Sequence, residues 1–155
     1  MKTARLLFVV GLVLAMSFSA IAQEEASQRT ATIKSLKGSV DVMSQSHSWE
    51  PASVGMVLNQ SSVVRTKANS EATLNLDGGE TATVIVKESS QLMLADMAQN
   101  KAEGSQRTML DLALGQILIK ARKIHSDKTS FEVKTPTSIV AVRGTTFSVA
   151  VETVE

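Results

Sequence analysis

The side chains that could carry out chemistry are few and lie far apart in the sequence. His47 and His125 are the only histidines, and neither has a carboxylate near it at a metal-ligand spacing. An exposed position in a turn is therefore expected for both, rather than a role in a zinc site or a catalytic triad. Asp77 and Glu80 share one turn, but calcium prefers roughly 6 to 8 oxygen ligands. The residues predict no metal site and no cofactor.

The chain also lacks the short motifs that accompany common enzymatic reactions. It contains no Gly-x-Ser-x-Gly elbow, no His-Glu-x-x-His pair and no glycine-rich phosphate loop. The 15 acidic residues could supply a carboxylate pair for glycoside hydrolysis, but few aromatic residues are present to hold a sugar ring. These observations favour a protein that is not an enzyme.

Two further residues have both a structural and a functional interpretation. Arg143 interrupts the most apolar stretch of the chain, and we expect its guanidinium to satisfy carbonyls or a carboxylate where the strand bends. The alternative is a contact with an anion or a partner. Trp49, the only tryptophan, is expected to fill the core rather than to serve as a ligand platform, because no second aromatic residue lies nearby.

The first 22 residues have the three parts of a secretory signal peptide. Lys2 and Arg5 precede an apolar run from Leu6 to Met16, and an Ala-x-Ala exit ends at Ala22. The run is shorter than the about 20 residues that a membrane span needs, so cleavage after Ala22 is predicted, with no stable span afterwards. An uncleaved anchor is the alternative. Cleavage leaves 133 of the 155 residues, enough for one domain without disulfides, and the chain has no cysteine.

The charge of the exported chain excludes some partners. Removing Lys2 and Arg5 from the 16 basic residues leaves 14, against 15 acidic ones. Such a balance gives no field that would attract nucleic acid or anionic lipid. We therefore expect no nucleic-acid binding.

The chain from residue 32 onward alternates between apolar and polar residues, as strands do. Residues 23–31 are polar and predicted to be a flexible N-terminus, followed by one domain over residues 32–155. A hairpin-like turn is expected at 77–80, and two strands joined at Gly115 are expected over 109–119. The run Ile139–Val142 is apolar at every position, which predicts a strand covered on both faces. The fold is therefore predicted to be all-β.

The segment Thr135–Phe147 reads Thr-Pro-x-Ser-x-Val-Ala-Val-Arg-Gly-Thr-x-Phe and resembles the signature of the FecR family of extracytoplasmic bacterial domains. Other landmarks agree in order and spacing over roughly residues 36–151, among them Gly38-x-Val40-x-Val42, Val64-Arg65-Thr66 and Leu114-Gly115-x-Ile117. The signature positions that we regard as structural are Trp49, Pro51, Gly55, Gly78, Gly115, Thr135, Pro136, Arg143, Gly144, Thr145 and Phe147.

The resemblance implies a β-solenoid, or β-helix-like stack of short strands. The Gly-x-[Val/Ile]-x-[Val/Ile] pattern at both Gly38 and Gly115 also suggests repeated coils, although their period is irregular. A β-sandwich is the alternative.

The resemblance also implies a function in the cell envelope. The best-known family members are membrane regulators that have a cytoplasmic arm for a sigma factor. Only five residues precede the apolar run here, so no such arm and no direct anti-sigma role are expected. The sequence predicts an exported module of the periplasm or cell envelope that binds another envelope protein. The alternatives are a self-assembling envelope component and an accessory to a sigma-factor or TonB-type signalling system. The partner and the oligomeric state are not specified by the sequence.

Overall fold

A computed structural model describes residues 28–152, which form β-strands and one short 3-10 turn at Asp77–Gly79. The strands are β1 (Ala31–Lys37), β2 (Val40–Met43), β3 (Trp49–Pro51), β4 (Val57–Leu58), β5 (Val63–Thr66), β6 (Glu71–Leu76), β7 (Ala82–Val86), β8 (Gln91–Asp96), β9 (Gln99–Asn100), β10 (Ser105–Ala121), β11 (Thr129–Lys134), β12 (Ile139–Ala141) and β13 (Thr146–Val151). The all-β prediction is confirmed.

The strands form one hydrogen-bonded sheet that is folded into two halves. Half A has the order β4, β1, β6, β7, the C-terminal part of β10, and β13. Half B has the order β3, β2, β5, β8, the N-terminal part of β10, β11 and β12, with β9 also paired to β10. The 17-residue strand β10 runs through both halves and so joins them.

One apolar core lies inside the folded sheet. Half A contributes side chains such as Leu74, Val84 and Ile119, and half B contributes Leu92 and Phe131, all at most 2% exposed and in one cluster. Neighbouring positions along β6 and β7 alternate between buried and half-buried, as the period of two predicts for a sheet covered on one face. Burial of this cluster is the main stabilising contribution to the fold.

The sheet bends where four chain segments cross from one half to the other. Each segment has one residue with positive φ at this point: Gly38 (72°), Asn69 (56°), Ser89 (50°) and Gly115 (88°). We call these four positions the bend. A residue with left-handed backbone geometry changes the direction of a strand abruptly, which allows both halves to face the same core.

Buried hydroxyl groups connect neighbouring segments at the bend. Ser70 Oγ accepts a hydrogen bond from the Ser39 amide at 2.9 Å, and Ser90 Oγ accepts one from the Gln116 amide at 2.9 Å. Thr66 Oγ1 accepts one from the Ser90 amide at 3.0 Å. These side chains replace ladder bonds that the bend interrupts, so the backbone remains satisfied there.

Gly115 lies close to the next segment. A Cβ at this position would lie 2.5 Å from Ser90 Cα, so the two backbones can approach only because residue 115 has no side chain. Leu110 and Leu112 before it, and Ile117 and Ile119 after it, are all fully buried. The two strands expected over 109–119 are one continuous strand, β10, which bends at Gly115 so that the buried positions slip by one residue there. Leu114, directly before the glycine, is 37% exposed.

The pairing pattern bears on the two predicted β-architectures. The predicted turn at 77–80 is a hairpin between β6 and β7, which pair antiparallel. Among the described strands only β10 and β11 pair in parallel, so the β-solenoid is not confirmed. Two halves that face a single core are compatible with the alternative, a β-sandwich.

Candidate interaction surface

The signature segment lies mainly on the surface, where it forms an exposed strand edge. Ile139 is 61% exposed and Val140 is 37% exposed, and Ala141 is exposed as well. The prediction that Ile139–Val142 is covered on both faces is therefore wrong for all but Val142, which is 5% exposed. The cause is position: β12 pairs with β11 on one side and with no described strand on the other. We call β12, residues Ile139–Ala141, the apolar edge.

The hydrogen bonds around β12 determine which of its amides are free. Thr135 N donates to Ser138 O at 2.8 Å, and Val142 N donates to Phe131 O at 2.8 Å. In an antiparallel pair the bonded positions alternate, so residue 140 also directs its amide toward β11. The backbone groups of Ile139 and Ala141 consequently point away from the sheet, toward solvent.

A tight turn supports the apolar edge. Thr135 is 7% exposed, and its Oγ1 accepts a hydrogen bond from the Ser138 amide at 3.0 Å. Pro136 is exposed in this turn, directly before β12, as its missing N–H predicts. The turn holds β11 and β12 in register and leaves the outer side of β12 uncovered.

The loop after β12 contains one residue that packs against the rest of the protein and one that faces solvent. Gly144 has a φ of 74°, and a Cβ there would lie 2.5 Å from Lys123 Cα, so this residue fixes the loop against the chain beyond β10. Thr145 is exposed. The glycine is thus required for packing, whereas its neighbour faces solvent.

Arg143 is exposed, and its guanidinium forms no ion pair with any residue of 28–152. The expected structural role, in which it satisfies acceptors at a bend, is not what the structure shows. Of the two interpretations of Arg143, the functional one, a contact with an anion or a partner, is the one compatible with this exposed position.

We expect the variant Arg143→Met to unfold at the same temperature as the wild-type protein, because no interaction within the described residues is lost. Thermal denaturation followed by circular dichroism measures this. A melting temperature lowered by several degrees would contradict the surface position of the guanidinium.

Trp49 is also at the surface, so the prediction that it fills the core is wrong. Its ring is 37% exposed on the edge strand β3, and the Arg65 guanidinium carbon lies 3.9 Å from the ring centroid. Arg65 in turn bonds Asp41 at 3.2 Å. This hydrogen bond, opposed by desolvation and aided by Lys67, holds the pKa of Asp41 below its usual range. Trp49 and Arg65 thus form a cation–π contact on the outer face of half B.

The remaining signature residues occupy turns, a strand and the bend. Pro51 ends β3, and Gly55 and Gly78 adopt positive φ in turns. Phe147 is half-buried on β13 and packs against the core. The structure therefore brings together the residues from Thr135 to Phe147 at one side of the sheet, whereas Trp49, Pro51, Gly55, Gly78 and Gly115 lie elsewhere.

The residues considered for chemistry do not converge. His47 and His125 are both exposed, and Asp77 is paired with Arg29 at 2.6 Å. Over residues 28–152 no three or more His, Cys, Asp or Glu side chains are close enough to hold one metal ion. A groove of about 800 Å³ lies along the bend, but opposite charges line it, including the Lys87–Glu71 ion pair at 2.7 Å. This groove presents no catalytic arrangement.

One anchoring residue was not predicted. Arg29 is 5% exposed and donates from Nη1 to Thr108 Oγ1 at 2.8 Å, besides its pair with Asp77. It lies within the predicted flexible segment 23–31, of which residues up to 27 are outside the described chain, and β1 begins at Ala31. The partner residues are 48 and 79 positions away, so no local pattern signals the contact.

Comparison with protein families gives one match. A family model described as "FecR protein" matches residues 62–154, which is more than half of the 155-residue chain. The match includes the bend at Gly115, the apolar edge and β13. Searches among curated proteins and solved structures gave no match. In the described part of the chain, no helix has the length and apolarity to cross a membrane. The chain belongs to the FecR protein family.

Proposed function

We propose that this FecR-family chain is an exported, non-enzymatic protein-binding module of the cell envelope, and that its partner adds a strand to the apolar edge. The observation that carries the proposal is the exposure of Ile139 and Val140 on a strand with free backbone groups. Membership in the FecR family supports a sensory or signalling role. The signal-peptide pattern over residues 1–22 supports export.

Strand addition suits this edge because both its backbone groups and its side chains are available to a partner. The outward amides and carbonyls of Ile139 and Ala141 can bond an added strand, which supplies affinity. The exposed side chains of Ile139 and Val140 offer apolar surface on both faces of the same strand. Monomeric proteins usually protect such an edge with charges or proline, and β12 has neither.

The family resemblance suggests which class of partner occupies the edge. An accessory role in a sigma-factor or TonB-type signalling system would place a second envelope protein there. The segment Thr135–Phe147 carries the resemblance and also contains the whole apolar edge. This overlap supports a second envelope protein as the partner.

The variant Ala141→Pro tests the proposal. Proline removes one outward N–H and its ring occupies the space of an added strand, so we expect partner binding to weaken by about tenfold or more. Residue 141 does not bond β11 through its amide, so the hairpin of β11 and β12 remains intact. Pull-down from the host's envelope extract, with each captured protein quantified, measures the effect.

The matched control is Ala141→Ser, which keeps the N–H and should capture the same proteins as the wild type. Hydrogen exchange gives a second measurement, in which binding should slow the amides of Ile139 and Ala141 but not change Val140, already bonded to β11. Equal capture by the proline and serine variants would refute strand addition at β12.

A further inference from the structure

A second free edge lies in half A and differs in chemistry from the apolar edge. Among the described strands, β13 pairs only with β10, in antiparallel register from Gly115–Val151 to Lys120–Thr146. Its sequence Thr-Phe-Ser-Val-Ala-Val has strong β propensity, with no charge and no proline. Edge strands of this kind are templates for further pairing unless something protects them.

Hydrogen bonds again determine which amides of β13 are free. Ala121 N donates to Thr145 O at 3.2 Å, so the odd-numbered residues of β13 bond β10. Lys87 N donates to Gln116 O at 2.9 Å, which shows that the even-numbered residues of β10 face β7 instead. Both hydrogen bonds therefore give the same alternation, with odd-numbered residues of β10 bonded to β13 and even-numbered ones to β7. The backbone groups of Thr146, Ser148 and Ala150 therefore point outward from half A.

We propose that two copies of this chain associate through β13, paired antiparallel about a two-fold axis at Ser148. In this register Ser148 bonds Ser148 of the second copy, and Thr146 bonds Ala150 of the second copy. The three outward-facing residues are centred on position 148, so every free group in one copy meets a complementary group in the other. A two-fold contact of this kind closes on itself and yields a dimer rather than a filament.

The side chains fit this self-pairing on both faces. Thr146, Ser148 and Ala150 lie on the exposed face and are small, so they permit close approach. On the opposite face Phe147 of one copy comes beside Val149 of the other, an aromatic and β-branched pair of the type that stabilises sheets. Pairing would also cover Phe147 and Val151, which are only half-buried in one copy.

Charge is compatible with a second copy at this edge, and the self-complementary register favours one. A neutral strand pairs with itself without like-charge repulsion. Beyond the strand, the same register brings the acidic Glu152 opposite the loop that contains Arg143 in the second copy. Both side chains are exposed, and neither forms an ion pair within the described residues.

The expected affinity is modest because the contact consists of a single six-residue strand from each copy. Interfaces much smaller than about 1,200 Å² in total belong to the weak, reversible class. Sedimentation equilibrium of the full purified protein from about 1 µM to about 1 mM should therefore show a monomer–dimer equilibrium. A monomer over the whole range would overturn the proposal.

Charge-swap variants test the register. Ser148→Lys and Ser148→Glu each place like charges directly opposite at the axis, so each should weaken the dimer by roughly two- to fivefold. An equimolar mixture should restore association, because Lys then faces Glu. The matched controls Thr73→Lys and Thr73→Glu alter the same outer face of half A on β6, three strands away from β13, and should dimerise as the wild type does.

If the single variants dimerise as well as the wild type, or their mixture fails to restore association, the two-fold register is wrong. A measurement on the unmodified protein is independent of any folding defect in the variants. The amides of Thr146, Ser148 and Ala150 should exchange more slowly at high than at low protein concentration, and unchanged rates would refute the contact. Ala141→Pro, at the other edge, should leave the dimer unaffected.

Discussion

Gly115→Ala is expected to destabilise the protein by about 2–5 kcal/mol. A φ of 88° costs a residue with a side chain about 1–2 kcal/mol. The new Cβ would also lie 2.5 Å from Ser90 Cα, which is backbone and cannot rotate away. Forcing an atom into such a contact costs typically about 1–3 kcal/mol more. Urea denaturation followed by circular dichroism measures the difference in free energy of unfolding.

Gly104→Ala is the matched control for this prediction. Its φ is also positive, at 63°, but a Cβ there would meet no atom within 4 Å. Only the conformational cost of about 1–2 kcal/mol applies. Equal losses in the two variants would show that close packing of the bend contributes nothing to stability.

Phe131→Ala is expected to cost about 3–5 kcal/mol, because removal of a buried aromatic ring leaves a cavity in the core. Phe131 is 2% exposed and is the largest of the fully buried side chains. Its strand β11 also holds β12, so the apolar edge depends on it. The same denaturation measurement applies, and a loss under about 1 kcal/mol would contradict the position of this ring.

Phe147→Ala gives the internal comparison. Sequence alone favours Phe147 as a core aromatic within the signature, with an equally large loss. The structure places it half-buried on the edge strand β13, so the loss should be only about 1–2 kcal/mol, in proportion to the smaller area removed from water. If the two variants lose the same free energy, β13 must be covered more fully than the described chain alone covers it.

Local patterns predicted the strands well because a sheet with one buried face alternates at every second residue. The phase change near Gly115 was visible in the sequence for the same reason: Leu112 and Ile117 cannot both face the core without a slip between them. The glycine pattern shared by Gly38 and Gly115 also corresponds to a structural feature. It marks two segments that cross the same bend.

The errors come from properties that depend on which strands pair. An apolar run such as Ile139–Val142 has the same composition whether it lies inside a sheet or at its edge, and only the pairing decides. The absence of a second aromatic residue nearby favours a core position for Trp49, but its ring lies against the cation of Arg65. The contact between Arg29 and Asp77 joins positions 48 residues apart and has no local signal.

The location of Arg29 and β1 affects how this protein can be dissected. The region that matches the family begins at residue 62, whereas β6 pairs with β1 and β5 pairs with β2, both encoded upstream. A fragment excised at residue 62 would lose these neighbours and leave two central strands with open sides. The autonomous folding unit must therefore start at or before Arg29, well ahead of the family boundary.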